Sequence, residues 1–464
     1  MVRLETGRGL HDQERPSNLI REGLDDVDCS DGCPTAAVMF GVPGVRVLTA
    51  QHEAGGLRLV VETDQDLEGC RACGVVADLH DRREQRLVDA PFGHRRVRLV
   101  WRKRVWRCRE PACAVVTFTE EHALAAPRAL LTRRAVCWAT DALADDDTTV
   151  SALARRLGVD WHTLWDAVKR EAQRRVDDPD RLAGVTALGV DEHVWRPGKF
   201  GQGRDVTGMV DLTRDTNGRV RARLLDLVPG RSGTAYRVWL DARDETFRAG
   251  VKQAALDPFR GYANALRDSL GDAVQVLDAF HVVKLGTQVV DEVRRRVQQE
   301  QLGRRGHKHD PLYKIRGLLR HGAEHLSDRQ QARLAAGLEA GDPHGEVDLA
   351  WRCYQRLRAV YTGPQPPPAR RTHAEKIIAT FAGCPVPEVA RLGRTLRAWR
   401  AQILAYFDTH GLSNGGTEAI NLLIEKARRL AHGYRSFTNY RLRMLLAASG
   451  RRPYRGAPSP RSGP

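Results

Sequence analysis

The chain has 464 residues, 42% of them hydrophobic, with 74 Lys and Arg against 58 Asp and Glu and a formal net charge of +16. That length allows two to four domains and at least one large core, and the composition excludes wholesale disorder. No run reaches the roughly 18 uninterrupted apolar residues of a membrane span, and a basic surplus of this size favours a polyanion, because phosphate neutralisation supplies sequence-independent affinity.

Residues 1–38 are charged and aperiodic, and are expected to be a disordered arm or an extension upstream of a start at Met39. They hold no apolar signal-peptide core. Cys29 and Cys33 form a close pair there with nothing nearby to complete a metal site. A compact β-rich domain is expected over 39–125. Val45, Val47 and Leu48 precede a turn at Gly55-Gly56, and Leu57–Val61 returns as a strand. Cys70-x2-Cys73 and Cys108-x4-Cys113 then bracket a stretch dense in arginine. Two close cysteine pairs in a chain whose remaining cysteines (Cys137, Cys353, Cys384) are scattered point to structural Zn²⁺ on four thiolates and to a reducing cytosol. Between the pairs, "RRVRLVWRKRVWRC" alternates at period two, which puts Val97, Leu99 and Trp101 on one face and arginines on the other. Trp101 and Trp106 could stack on bases or pack over the small zinc-bearing core; packing is expected.

Residues 126–180 read as helices. In "TVSALARRLGVDWHTLWDAVKREAQRRV" an apolar face at Ala152, Leu153 and Leu157 is followed by a turn at Gly158 and a cap at Asp160, the grammar of a helix-turn-helix. Trp161, His162, Thr163, Asp166 and Lys169 would then lie on or near the helix that enters a major groove, the alternative being a hairpin that merely packs. From 181 to 284 the period changes to strands. An apolar strand Val185–Val190 leads to Asp191. "RDVTGMVDLT" and "RVRARLLDLVPG" follow as antiparallel strands around Asn217-Gly218. A helix over 233–247, the strand "VKQAALD", a helix over 259–269 and the strand "AVQVLD" complete an α/β pattern. Residues 285–408 are helical and rich in arginine, interrupted by "TGPQPPPARR" at 362–371, where proline predicts an extended exposed connection. His307 and His309 are expected in a solvated loop. A last helical block, 409–450, precedes a basic tail at 451–464 that cannot fold alone.

Three carboxylates stand where chemistry could use them: Asp191 and Asp257 at the ends of strands that could be neighbours, and Glu418 in the first turn of a helix after "GLSNGG". Together they would make an oxygen-ligand pocket for Mg²⁺ or Mn²⁺, and two such ions could align an in-line attack on a phosphodiester. Downstream on the Glu418 helix, Asn421, Lys426, Arg428 and Arg429, then His432, Tyr434 and Arg435, form a basic run suited to a passing phosphate backbone.

The blocks "LGVDEHVWRPGKFGQGRDVTGMVDL", "LDAFHVVKL" and "LSNGGTEAINLLIEKARRLAHGYRSFTNYRLRMLL", with "CRACG" and "RRVRLVWRKRVWRCREPACAVVTFTE" before them, resemble in order those of ISL3-family insertion-sequence transposases. The resemblance spans about 44–448. It implies a multidomain α/β protein: a small β-rich zinc-binding domain, a helix-turn-helix, and an RNase H-like catalytic domain interrupted by an all-α insertion. It implies a DDE metal site on Asp191, Asp257 and Glu418. Asp278-Ala-Phe-His281 is similar to a signature that related enzymes place after the second aspartate, so Asp278 is the alternative second ligand, and otherwise Asp278 and His281 position the site. The resemblance further implies terminal-inverted-repeat and target DNA as partners, a dimer or higher homo-oligomer on DNA, and a cytoplasmic, nucleoid-associated bacterial protein. Two positions depart from the family pattern: Ala419 where glycine is usual, and Glu425 where lysine is common. A DNA-binding regulator that kept the fold without catalysis is the competing reading. A zinc hydrolase is excluded, because four cysteine ligands leave no open position.

Overall fold

The computed structural model describes residues 27–28, 38–198 and 203–450. The expectations for Cys29, Cys33, the rest of the amino-terminal arm and the tail 451–464 fall outside them. The chain forms two compact units. One comprises the described residues up to Ala139 with Val150–Val168, and the other comprises Thr140–Thr149 with the described residues from Lys169 onward.

The first unit is built on a six-stranded sheet in the order β1-β2-β3-β5-β4, with β6 added to β5. Its strands are β1 (Val27–Asp28), β2 (Val45–Glu53), β3 (Gly56–Thr63), β4 (Asp78–Phe92), β5 (Arg95–Arg107) and β6 (Thr117–Thr119). The period-two pattern of β5 places Val97, Leu99 and Trp101 in one core with Val45, Val47, Val61 and Leu87. Trp101 and Trp106 are both buried, so they pack rather than offer a face to bases. The expected row of outward arginines is broken at Arg104, which is buried: its guanidinium donates to the Thr63 carbonyl at 2.9 Å and the Thr63 hydroxyl at 2.8 Å, and lies 3.6 Å from buried Glu120. A buried cation needs such partners to offset its lost hydration.

Three helices follow: α1 (Arg133–Asp145), α2 (Val150–Leu157) and α3 (Trp161–Val176). Gly158 takes a left-handed φ of +66° between α2 and α3, the conformation glycine adopts without a Cβ penalty. Asp160 accepts from the Thr163 backbone N–H at 2.9 Å and so caps α3. At this carboxyl end of α2, Arg96 donates to the carbonyls of Arg155 and Arg156, and Arg98 to that of Gly158. Two β5 guanidiniums thus satisfy the last carbonyls of the helix.

The second unit carries a five-stranded sheet in the order β11-β10-β7-β8-β9. Its strands are β7 (Ala187–Val194), β8 (Asp205–Asp211), β9 (Arg223–Pro229), β10 (Gln253–Leu256) and β11 (Val274–Leu277). β7, β8 and β9 are antiparallel neighbours, whereas β10 runs parallel to both β7 and β11. The helix expected over 233–247 is two helices, α4 (Gly233–Asp241) and α5 (Glu245–Gly250), because Asp244 caps a new start through the Phe247 N–H at 2.7 Å. α6 (Arg260–Ser269) returns the chain to β11.

The helical block begins at Ala279 rather than 285: α7 (Ala279–Leu302) starts directly from β11 with Asp278 as its cap. It continues through α8 (Asp328–Gly341), α9 (Glu346–Thr362), α10 (Pro367–Thr380), α11 (Pro387–Ala398) and α12 (Arg400–Asp408). The proline segment is not extended throughout. α10 starts inside it, with prolines in its first turn, where a missing N–H costs nothing and the fixed φ already suits a helix. These helices share one continuous core with the sheet, joining Tyr354, Leu357, Ile377 and Trp399 to Leu188, Leu256 and Leu277. α13 (Gly415–Leu430) then lies against β7 and β8, and α14 (Phe437–Ala447) against β9.

Candidate active site and zinc centre

The register of the second sheet places three aspartates at one level. Gly189 pairs with Ala255 and Leu256 with Leu277, so Asp191, Asp257 and Asp278 occupy matching positions on β7, after β10 and after β11. β7 does not end at Asp191, as its apolar run suggests. It stays paired with β8 through Val194, because antiparallel hydrogen bonds sustain the polar half Asp191–His193. The Asp191 carboxylate accepts from the Glu192 N–H at 2.7 Å and from Asn421 Nδ2 at 2.7 Å. Burial, then the charges of Asp257 and Glu192, push its pKa up to about 7.

Asp257, Asp278 and His281 bring their ligand atoms within 4.8 Å of one another. His281 Nδ1 lies 3.0 Å from Asp257 Oδ1 and 3.0 Å from Asp278 Oδ2. Burial opposes a charged imidazole, but the two carboxylates outweigh it and raise His281 to about 10, so it is an imidazolium. The two aspartates differ in what they have left to give. Asp278 uses both oxygens: Oδ1 accepts the Asn414 N–H at 2.8 Å, and Oδ2 accepts the N–H and Nδ1 of His281, each at 3.0 Å. Its burial would raise the pKa, yet these bonds hold it below the usual value. Among the described residues, the two side-chain contacts to Asp257 fall on Oδ1, from His281 and from Asn414 Nδ2 at 3.3 Å.

Glu418 lies in the first turn of α13 and is exposed. Partial burial and the nearby charge of Asp278 raise its pKa. What brings α13 here is Asn414, a buried residue that also donates to the Val190 carbonyl at 3.0 Å. Gly189 makes room for that turn: a Cβ there would come 2.2 Å from Thr417 Oγ1 and 2.9 Å from Asn414 Oδ1. Sequence reasoning missed Asn414, although it stands in the quoted "LSNGG". It also missed Glu192, which accepts from Tyr262 at 3.2 Å and pairs with half-exposed Arg231 at 2.5 Å. Burial raises its pKa despite Arg231. The acidic pair Asp191-Glu192 was the available signal.

The basic run on α13 is less free than its sequence suggests. Glu425 holds Arg428 through two 2.8 Å bonds and Arg429 at 2.6 Å, and these bonds lower its own pKa to about 2. Lys426 is paired with Asp147. Arg435 is exposed beyond the helix. On α3, Trp161 and His162 are exposed, Thr163 and Lys169 are half-buried, and the Thr163 hydroxyl is bonded to Asp160 at 2.5 Å.

The four cysteines gather at one point. Cys70 and Cys113 sulfurs are 3.7 Å apart, and those of Cys73 and Cys108 are 3.5 Å apart. A tetrahedron with Zn–S bonds of about 2.3 Å has edges of about 3.8 Å, so the set fits Zn²⁺. Backbone N–H groups of Glu110 and Val115 reach the sulfurs of Cys108 and Cys113, each at 3.4 Å, and favour the thiolate form. All four ligand positions are thiolates, which makes the zinc structural. His307 and His309 are exposed, and no third ligand joins them among the described residues.

A thiolate zinc centre in the first unit, and a carboxylate cluster at the strand ends of a mixed sheet in the second, define a transposase built on an α/β catalytic domain. Residues 188–444 match the ISL3 transposase family, and residues 66–113 match the zinc finger of the IS204/IS1001/IS1096/IS1165 transposases. The chain belongs to the ISL3 family of insertion-sequence transposases. It is 27% identical over 337 residues to the transposase for insertion sequence element IS1557 of Mycobacterium tuberculosis, covering 67% of this chain and 70% of that one. It is 25% identical over 400 residues to the transposase for IS1001 of Bordetella parapertussis, covering 82% and 89%. Among the described residues no helix is long and apolar enough to cross a membrane.

Proposed function

We propose that the protein binds the terminal inverted repeats of its element and cuts and rejoins DNA at Asp191, Asp257 and Glu418, in an RNase H-like domain interrupted by the helical insertion. The strand order β11-β10-β7-β8-β9, with one carboxylate on the central strand and another on its parallel neighbour, supports that reading of the fold. The domain limits that go with it are zinc-binding 39–125, helix-turn-helix 126–180, catalytic core 181–284 and 409–450, and insertion 285–408. The left-handed Gly158 and the capped α3 support the helix-turn-helix. Assembly as a dimer or higher oligomer on DNA belongs to the same proposal.

The observation that carries the metal assignment is the unequal use of the two aspartates. Asp278 has committed both oxygens to Asn414 and His281, whereas Asp257 keeps Oδ2 for a cation. The donor set fits Mg²⁺ or Mn²⁺: hard oxygens, crowded enough that Asp191 resists ionising without a cation. When bound, such ions would activate the attacking oxygen and stabilise the leaving one. The chain's own part is positional. Asn421 orients Asp191, Asn414 fixes Asp257 against β7, and the Asp278–His281 pair holds Asp257 Oδ1. In the reaction, water oxygen bonds to phosphorus and the 3′-oxygen leaves. That freed 3′-hydroxyl then attacks a target phosphodiester, with no covalent enzyme–DNA intermediate.

The test is incubation of labelled element-end DNA with Mg²⁺ or Mn²⁺, comparing wild type with Asp191→Ala, Asp257→Asn and Asp278→Asn. Wild type should nick the DNA. Asp191→Ala and Asp257→Asn should bind ends without cutting, and Asp278→Asn should retain measurable nicking. End binding by wild type without metal-dependent nicking would replace this reading with that of a catalytically silent DNA-binding regulator.

A further inference from the structure

The outward face of the first sheet carries an arrangement that the zinc centre does not require and the helix cap uses only through Arg96 and Arg98. Strand alternation sends alternate residues of β2, β3, β4 and β5 to this face, opposite the core formed by Val47, Val61, Leu87 and Trp101. At its centre is Glu62, only 4% exposed. Its carboxylate lies 3.5 Å from Arg46, 3.1 Å from Arg82 and 3.6 Å from Arg102, guanidiniums from three different strands. All three arginine side chains stay between 39% and 44% exposed. Farther along the sheet a hollow of about 430 Å³ is lined by Arg58, Arg86 and Arg98, with Glu53 at its edge.

One carboxylate cannot neutralise three cations, and a single arginine would have satisfied Glu62. Its effect is to fix the directions of three long side chains that would otherwise lose rotamer freedom on meeting a ligand. With Arg58 and Arg86, five guanidiniums outside the helix cap face three acidic residues, Glu53, Glu62 and Glu84, the last set across from Arg102. Arg98 is bonded to the Gly158 carbonyl, and buried Arg104, 4.0 Å from Glu62, is bonded to Thr63. Arg58 marks one level of the sheet and Arg46 with Arg102 another, with Arg86, across from Val100, between them and Arg82, across from Arg104, just beyond. Arg58 and Arg98 are directly paired across β3 and β5. Arg102 lies four residues further along β5, about 13 Å at strand rise. That span is close to the ~12 Å width of a B-DNA major groove.

We propose that this arginine-bearing face docks on the sugar-phosphate backbone of duplex DNA, the Arg58 level and the Arg46–Arg102 level meeting phosphates on either side of one groove, with Glu62 as the positioning residue. The proposal rests on the DNA-binding reading given above and assigns the surface that makes the contact. The zinc then braces the far end of the β4–β5 ribbon, and the contact with phosphates comes from the middle of the sheet.

The experiment uses the full-length, zinc-loaded protein and measures duplex affinity across a salt series. It compares wild type with Arg58→Gln/Arg86→Gln, Arg82→Gln/Arg102→Gln, and the charge-keeping Arg58→Lys/Arg86→Lys. Each glutamine pair should flatten the plot of log affinity against log salt by about 1.8, at ~0.9 per lost phosphate contact, on end DNA and unrelated duplex alike. The lysine pair should keep the wild-type slope. Zinc content and melting temperature report whether each variant is folded. If wild type fails to bind duplex DNA at all, the DNA reading itself falls. If wild type binds and nicks while both folded glutamine pairs keep its slope, only this surface assignment is overturned.

Discussion

Raising the pH of the metal-free protein should destabilise it, and Mg²⁺ should remove that effect. Asp191 has a folded-state pKa of about 7 against an ordinary 3.8, so the folded protein holds a proton that the unfolded chain releases between those values. The corresponding stability is fully present below the unfolded value and is lost as the pH rises through 7. A rise of about three units at ~1.4 kcal/mol each sets a ceiling of about 4 kcal/mol. His281, raised from 6.5 to about 10, acts with the same sign over a higher window, since its contribution disappears as the pH climbs through 10. Asp278, held below 3.8, has the opposite sign but acts only in acid. A cation on the carboxylates must displace the Asp191 proton, so the Mg²⁺ midpoint should weaken about tenfold for each unit below pH 7 and level off above it. The assay is thermal melting from about pH 5 to about pH 8, with and without millimolar Mg²⁺, on wild type and Asp191→Asn. Wild type should show a Mg²⁺-induced rise in Tm that grows with pH, and Asp191→Asn should lose that growth. A Mg²⁺ effect of equal size at both ends of the range, or metal-free stability that increases with pH, would refute the reasoning.

Other outcomes follow from the same contacts. Asp278→Asn should cost about 2–4 kcal/mol by denaturant unfolding, because both carboxylate oxygens accept from donors and an amide must turn its NH₂ toward either the Asn414 N–H or those of His281 inside a buried network. Cys73→Ser should leave the protein without stoichiometric zinc by metal analysis and unfold the first unit early in a melt, with the second unit melting as in wild type. Glu425→Gln releases Arg428 and Arg429, so duplex affinity should rise and its salt slope steepen by up to about 1.8. Its stability should change by less than about 1 kcal/mol, since these pairs are partly or largely solvated.

The framework of the second sheet could be read from composition because β7, β10 and β11 are short apolar runs, each reaching an aspartate. Burying both faces of such strands leaves few other places for the carboxylates to emerge. The period of β5 likewise announced which side of the first sheet is core. What escaped was whatever depends on contacts between distant segments. β4 exposes most of its residues, so "DLHDRREQRLV" lacks the alternation that marks a half-buried strand. Asn414 looks like an ordinary turn residue until its partners 136, 157 and 224 positions away are known. Glu425 stands in the sequence only as a departure from a common lysine, whereas in the fold it holds Arg428 and Arg429, the arginines of the basic run itself. Pro366–Pro368 signalled a break in the helical block, and only the direction of the following chain shows that two of them open a helix.

The bonds of Asn414 have a consequence for the order in which the proposed site is assembled. The last strand of the sheet ends at Leu277, about 140 residues before Glu418, so on the proposed assignment the strands that present Asp191, Asp257 and Asp278 precede the third carboxylate by a long stretch of chain. One late asparagine side chain, together with its own backbone N–H, then joins the central strand to both neighbouring aspartates and brings in the helix that carries the glutamate. On the proposed assignment, the step that completes the carboxylate set is therefore the docking of a helix and not the pairing of a strand.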